Sequence, residues 1–296
     1  MTYPLFHDPV PDVTPQRLPD WLVRMPAGTL EDAAICSGAA LAMLHMVRAR
    51  PDLPDALWRA RLALTAAAHC ANLAGRRENE AALRDETCLL RPGDQPGPAG
   101  AIALVWQNVI ARPLSQSRLQ RALPGLDAAQ LRAWAAPGAG NPVAQAAQMI
   151  EMVLSDAPRD ELTALILADA ALARALGWDH LIPLLGAGMP RRDLTARGDA
   201  LRLACHQALI RSIRRALPLA AGLSHSAARL KAVAPKLRAK AAPRAIELFL
   251  TRDATAPAQL TGAMSDRAAR RLCDRLVALG ALRELTGRDT FRLFGL

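Results

Sequence analysis

Arginine side chains near the C-terminus carry the clearest chemistry in this sequence. Arg267, Arg270, Arg271 and Arg275 lie close together, and Arg288 and Arg292 follow. A guanidinium presents its donors as a planar fork that fits phosphate oxygens and the O6/N7 edge of guanine. The chemistry implied is the holding of a polyanion rather than the breaking of a bond. Just upstream, Lys231, Lys236, Arg238 and Lys240 extend the same character, and these three lysines are the only ones in the chain. A second set is acidic: Glu78, Glu80 and Asp85 precede a Pro/Gly-rich run, Arg91 to Gly100, that contains Asp94. Paired carboxylates can do acid–base work or hold a divalent cation. With Arg77 and Arg84 in ion-pair reach, the favoured reading of this helix is a solvated, salt-bridged one. Asp94 is expected to act as a clamp, capping the next helix through backbone N–H groups.

Other nucleophiles and ligands are isolated. His69-Cys70 and Cys205-His206 are adjacent pairs, and neighbours on a helix project about 100° apart, so neither pair chelates a metal alone. The patterns GxSxG, HExxH, GxxxxGK[ST] and GxGxxG do not occur. No catalytic residue, metal or cofactor is therefore assigned. Trp21, Trp58, Trp106, Trp134 and Trp178 are spread singly, which suits core anchors better than a base-stacking platform.

The elements that must position the arginines can be read from Pro243 onward. Pro243 suits the start of a helix, and Ile246, Leu248, Phe249 and Leu250 give it an apolar face. A short second helix begins at Pro257 and ends at Thr261-Gly262. Ser265 is a strong N-cap for a third helix, with Asp266 favourable in its first turn. Ala269, Leu272, Leu276 and Leu279 form its buried stripe, so Arg267, Arg270, Arg271 and Arg275 point away from the core. Gly280 ends it as a C′ glycine. Two short strands around a Gly287-Arg288 turn complete the order of a winged helix. In the second strand Phe291 and Leu293 share one face, Thr290 and Arg292 the other. In such a unit the third helix enters the major groove and the wing touches the adjacent backbone.

Charge distribution agrees. Residues 1–189 carry 16 basic and 19 acidic side chains, whereas 190–296 carry 21 and 8. Such asymmetry suggests a polyanionic partner, though not a specific sequence. Alanine makes up about a fifth of the chain and aromatics only 3%, so a mainly helical protein is expected. The five cysteines are odd in number and scattered, which favours reduced thiols over a disulfide framework. The longest apolar run, Ala33 to Val47, is short of the ~20 residues that span a bilayer and reads as a buried helix. No signal-peptide pattern precedes it. A cytoplasmic location without membrane attachment is the expectation.

Along the rest of the chain, Met1 to Asp20 is proline-rich and expected to be an extended arm. Helices are expected near Leu30–Arg50, Pro54–Ala74 (with Gly75 as C′ residue), Asn79–Leu90, Ala101–Ala111, Asp127–Ala136, Pro142–Leu154 and Asp160–Leu176. Further helices, Asp199–Leu217 and Ser226–Lys240, are expected to be interrupted near Pro218 and Pro235.

Three stretches, AGRRENEAALRDETCLLRPGDQPGPAG (74–100), ALGWDHLIPLLGAG with RRDLTARGDALRLACHQAL (175–209), and LKAVAPKLRAKAA running on through the C-terminal segment (230–296), resemble a bacterial family known as domain of unknown function 1403. That resemblance carries no activity and no catalytic residues. The C-terminal part also looks like the winged-helix ends of bacterial regulators and of Fic-associated helix-turn-helix proteins. The Fic pattern HPFxxGNGR does not occur, so AMPylation is not implied.

The expected organisation is an arm (1–20), a multi-helical domain (21–220), a basic helical connector (221–242) and a winged helix-turn-helix (243–296). The expected function is binding of double-stranded DNA by a transcriptional or plasmid-maintenance regulator, with homodimerisation expected from the class. The alternatives are a protein-interaction adaptor and an enzyme with its site at the Glu78–Gly100 helix and loop.

Overall fold

The structure, a computed structural model, describes residues 17–25, 27–91, 93–127, 129, 131–132, 140–237 and 241–296. The described chain is mainly α-helical. In order, its helices are α1 (Asp20–Arg24), α2 (Leu30–Arg48), α3 (Asp55–Leu73), α4 (Glu80–Leu89), α5 (Pro98–Ile110), α6 (Gln116–Ala122), α7 (Pro142–Asp156), α8 (Glu161–Ala175), α9 (Leu185–Gly188), α10 (Gly198–Val233), α11 (Ala242–Thr251) and α12 (Asp266–Ala278). Short 3-10 turns occur at Arg191–Thr195, Ala234–Lys236 and Pro257–Leu260, and strands β1 (Arg283–Glu284) and β2 (Phe294–Gly295) close the chain. Most of the expected arm and of the helix near Asp127–Ala136, with Trp134, lies outside the described residues, as do Arg238 and Lys240.

Local chemistry fixes many of the helix ends. The side chains of Thr29, Asn79, Asn141, Asp160 and Ser265 each accept a backbone N–H from the first turn of α2, α4, α7, α8 and α12. Gly75 (φ 76°) and Gly280 (φ 66°) take the left-handed position after α3 and α12.

Helix α8 is the centre of the molecule. Every residue from Thr163 to Ala173 is buried, as suits a helix covered on all sides. It packs on α7, and α9 packs on both α3 and α8. Asp169 of α8 accepts N–H groups of Leu184 (3.2 Å), Leu185 (2.8 Å) and Gly186 (2.9 Å), so a buried carboxylate holds the start of α9. Gly186 must be glycine: a Cβ there would sit 2.4 Å from the ring of buried Trp106.

Two sequence expectations are corrected in this region. The first is the predicted break at Pro218: α10 runs for 36 residues with Pro218 inside it. Pro218 and Arg214, whose carbonyl loses its helical partner, are both exposed, so water can satisfy the freed oxygen. Burial of Ala216, Leu217, Ala220 and Leu223, and a hydrogen bond from Trp58 Nε1 to the Ala216 carbonyl (3.1 Å), hold the helix across the proline. The expected limit at 220/221 thus falls within one helix. The second is the apolar run of α2. It packs against α10 through one face, and Ser37 Oγ and His206 Nδ1 lie 2.6 Å apart there. Its other face leaves Ile35, Ala42 and Met46 exposed, so the helix is half-buried rather than buried. Among the described residues α2 alone is long and apolar enough to cross a membrane by length and composition.

The C-terminal elements share a hydrophobic core with the rest of the chain, continuous from Leu18 to Leu296. β1 and β2 pair antiparallel, Arg283 opposite Gly295 and Glu284 opposite Phe294. Thr255 adds an antiparallel bridge to Phe294. Phe291 does not extend β2: its φ of 53° turns the chain, leaving it exposed while Leu293 is buried.

Candidate nucleic-acid interface

Helix α12 projects two exposed ridges. Ala269, Leu272, Cys273 and Leu276 are buried beneath it, and Ser265 Oγ accepts the Ala268 N–H at 3.4 Å. On one ridge Asp266, Arg270 and Asp274 follow at i, i+4 spacing. Arg270 pairs with Asp266 at 3.0 Å, and Arg292 reaches across to Asp274 at 2.9 Å. Arg292 also stacks 4.7 Å over the Phe294 ring. This ridge is therefore neutralised and faces the loop between β1 and β2. On the other ridge Arg267, Arg271 and Arg275 are exposed, and no ion pair to them occurs among the described residues. Lys231 and Lys236 are likewise exposed, at the end of α10 and in the turn after it.

The loop between the strands is built by Glu284. Its carboxylate accepts the N–H of Thr286 (2.8 Å) and of Gly287 (2.7 Å), and the Thr286 hydroxyl. Burial raises the pKa of Glu284, but these donors outweigh it and hold the group below the usual carboxylate range. The loop does not stand free. Arg288 pairs with Asp85 of α4 at 3.1 Å, and Leu285 and Leu293 pack beside Cys88 and Leu89. The side chain expected at a wing tip is thus engaged with the body of the molecule.

Beneath the loop lies a contact that sequence reasoning missed. Asp253, just after α11, is shared by Arg61 of α3 and Arg84 of α4, the latter at 2.6 Å. All three side chains are 15% exposed or less. Burial and the neighbouring charges of Arg84 and Arg283 push the Arg61 pKa down, despite Asp253. For Arg84, burial is outweighed by its hydrogen bond and charge contact with Asp253, so its pKa rises. The partners of the Arg84–Asp253 hydrogen bond are 169 residues apart, and no local pattern announces such a pair.

The acidic candidates are not brought together. Glu78 accepts the Arg77 N–H, Glu80 accepts the Thr65 hydroxyl at 2.7 Å, and Asp85 holds Arg288. Asp94 is exposed and accepts only the Arg91 N–H of its own turn. The expected clamp is instead Glu86, which accepts the Gly97 N–H at 2.6 Å at the start of α5. A Cβ on Gly100 would lie 2.4 Å from that carboxylate, which explains a glycine there. Among the described residues no group of three or more His, Cys, Asp or Glu side chains could hold a metal. His69 bonds the Met189 carbonyl at 2.7 Å while His206 faces Ser37. Burial pushes the thiols of Cys70 and Cys273 up to about 12 and that of Cys88 to about 11, far from a reactive thiolate.

Comparison with curated proteins gave no match, and comparison with solved structures gave none. A protein-family model does match, over residues 10–296, nearly the whole chain. The chain belongs to the family described as protein of unknown function DUF1403.

Proposed function

We propose that this protein is a double-stranded DNA-binding regulator and that residues 242–296 act as a winged helix. The element order supports this: α11, a strand residue at Thr255, the 3-10 turn Pro257–Leu260, α12, β1, a loop and β2. The observation that carries the reading is the Arg267–Arg271–Arg275 ridge, exposed and without ion pairs among the described residues. In the proposed complex α12 enters the major groove with this ridge toward the bases. Arg270 and Arg292 serve to fix the loop against α12 rather than to touch phosphate. Because Arg288 is held by Asp85, the loop contributes a phosphate contact only after that pair opens.

A homodimer would place two such helices on two half-sites. We propose the exposed face of α2 as its contact. Antiparallel pairing of two copies would bring the acidic first turn (Glu31, Asp32) beside the basic last turn (His45, Arg48) of the partner. The molecular mass in solution tests this; a monomer at all concentrations rejects it.

A protein-interaction adaptor is the second reading. It is favoured by the loop's attachment to α4 and by Phe291, 64% exposed beside the cleft between α12 and the loop. Duplex binding at two salt concentrations separates the two. Three ridge arginines, or five cations if Lys231 and Lys236 join, predict a slope of log K against log salt between about −2.7 and −4.5. A duplex affinity absent even at low salt leaves the adaptor.

A further inference from the structure

A second cationic site lies away from the α12 ridge. It is a cavity of about 450 Å³ where α3, α10 and the C-terminal residues meet. Arg61 enters from α3, His225, Ser226 and Arg229 from α10, and Arg283 from β1. No Asp or Glu side chain lines it. The donors converge: Arg61 and Arg283 both direct Nη2 at the main-chain oxygen of Leu296, at 3.0 and 3.4 Å. The third guanidinium closes the far side. Arg229 Nη2 lies so near Gly280 that a Cβ there would be 2.6 Å away. Gly280 thus ends α12 and also leaves room for Arg229.

Charge balance points the same way. The only carboxylate bonded to Arg61 is Asp253, and Arg84 takes its other oxygen. Neither Arg229 nor Arg283 has a carboxylate partner among the described residues. Arginines held this close with one shared anion repel one another, and an added oxyanion would relieve that repulsion. Guanidinium forks match phosphate better than halide or a single carboxylate. Leu219, Leu223 and Leu282 supply an apolar wall beside them.

We propose that this cavity binds a small phosphorylated molecule, its phosphate held by Arg61, Arg229 and Arg283 and its body resting on Leu219, Leu223 and Leu282. The site joins α3 and α10 to the end of α12, so an occupant would tie these elements together. The proposal stands apart from the duplex reading, because it uses none of the α12 ridge.

Calorimetry on the full chain at fixed ionic strength tests it, with inorganic phosphate, pyrophosphate and ADP as separate probes. Saturable binding is expected for at least one, weakened about tenfold or more by Arg229→Gln with Arg283→Gln. Tighter binding of ADP than of pyrophosphate would place an organic body on the leucine wall; equal binding would assign the site to the phosphate alone. Both substituted side chains are exposed, and a thermal melt checks that the variant folds. Lys231→Gln with Lys236→Gln, outside the cavity, should leave probe binding unchanged. No saturable binding of any probe up to about 10 mM, or equal weakening by the lysine variant, overturns the proposal. So does an arginine variant that loses duplex affinity but no probe affinity, since the arginines would then be duplex contacts.

Discussion

Replacing Asp253 by Asn should destabilise the protein well beyond a surface substitution. The change keeps the side chain's shape but removes the one negative charge shared by Arg61 and Arg84, whose side chains are 15% and 13% exposed. Breaking a buried pair by removing one partner costs about 3–5 kcal/mol, because the remaining charge is stranded. Here two cations are stranded, so the upper part of that range applies. At roughly 2–4 °C per kcal/mol for a chain of this class, the melting temperature should fall by about 10–20 °C. The assay is thermal and urea unfolding of Asp253→Asn, Arg84→Met and the double variant. If charge is the cause, Arg84→Met should recover part of the loss in the Asp253→Asn background, though it is destabilising alone. A loss below about 1 kcal/mol, the scale of an exposed pair, would refute the claim that this triad is buried. Additive losses in the double variant would refute the charge mechanism.

Further expectations concern the core and the loop. Gly186→Ala should cost about 1–3 kcal/mol, the usual penalty of overpacking, because its methyl meets the Trp106 ring; a neutral effect in urea melts would show that the ring moves aside. Asp169 is pushed up to about 7, chiefly by burial, partly offset by three backbone donors. The folded chain therefore holds a proton that the unfolded chain has lost between roughly pH 4 and 7, and this contribution to stability falls as pH rises through about 7. Burial holds His180 and His206 below their usual value and acts in the opposite sense. The readout is accordingly the difference between wild type and Asp169→Asn across pH 5–8, and a difference that does not shrink toward pH 8 contradicts the reasoning. Asp85→Ala should free Arg288 and steepen the salt slope of duplex binding by about 0.9; an unchanged slope means the loop never reaches phosphate.

Much of the local structure was legible because its causes are local. The caps at Thr29, Asn79, Asn141, Asp160 and Ser265 and the stops at Gly75 and Gly280 follow from side-chain hydrogen bonding and glycine's access to positive φ. Pro218 misled for the opposite reason: its local cost is real, but the buried neighbours that offset it come from α3, distant in sequence. The short α6 lacks an apolar period long enough to be read. At the candidate interface the exposure of Arg267, Arg271 and Arg275 followed from the buried stripe of α12. The pairing of Arg288 with Asp85, and of Arg61 and Arg84 with Asp253, did not, because each joins elements far apart in the chain. Glu86 was passed over for Asp94 because a single glutamate in a helix looks solvated until the next helix folds back on it.

The most direct test of the central claim is duplex binding by Arg271→Ala, measured on a selected specific site and on random duplex at one salt concentration. If the ridge of α12 reads base edges, the specific site should weaken by about 1–3 kcal/mol and random duplex by much less. Equal weakening on both would make Arg271 a phosphate contact, and no weakening on either would remove α12 from the interface and contradict the account.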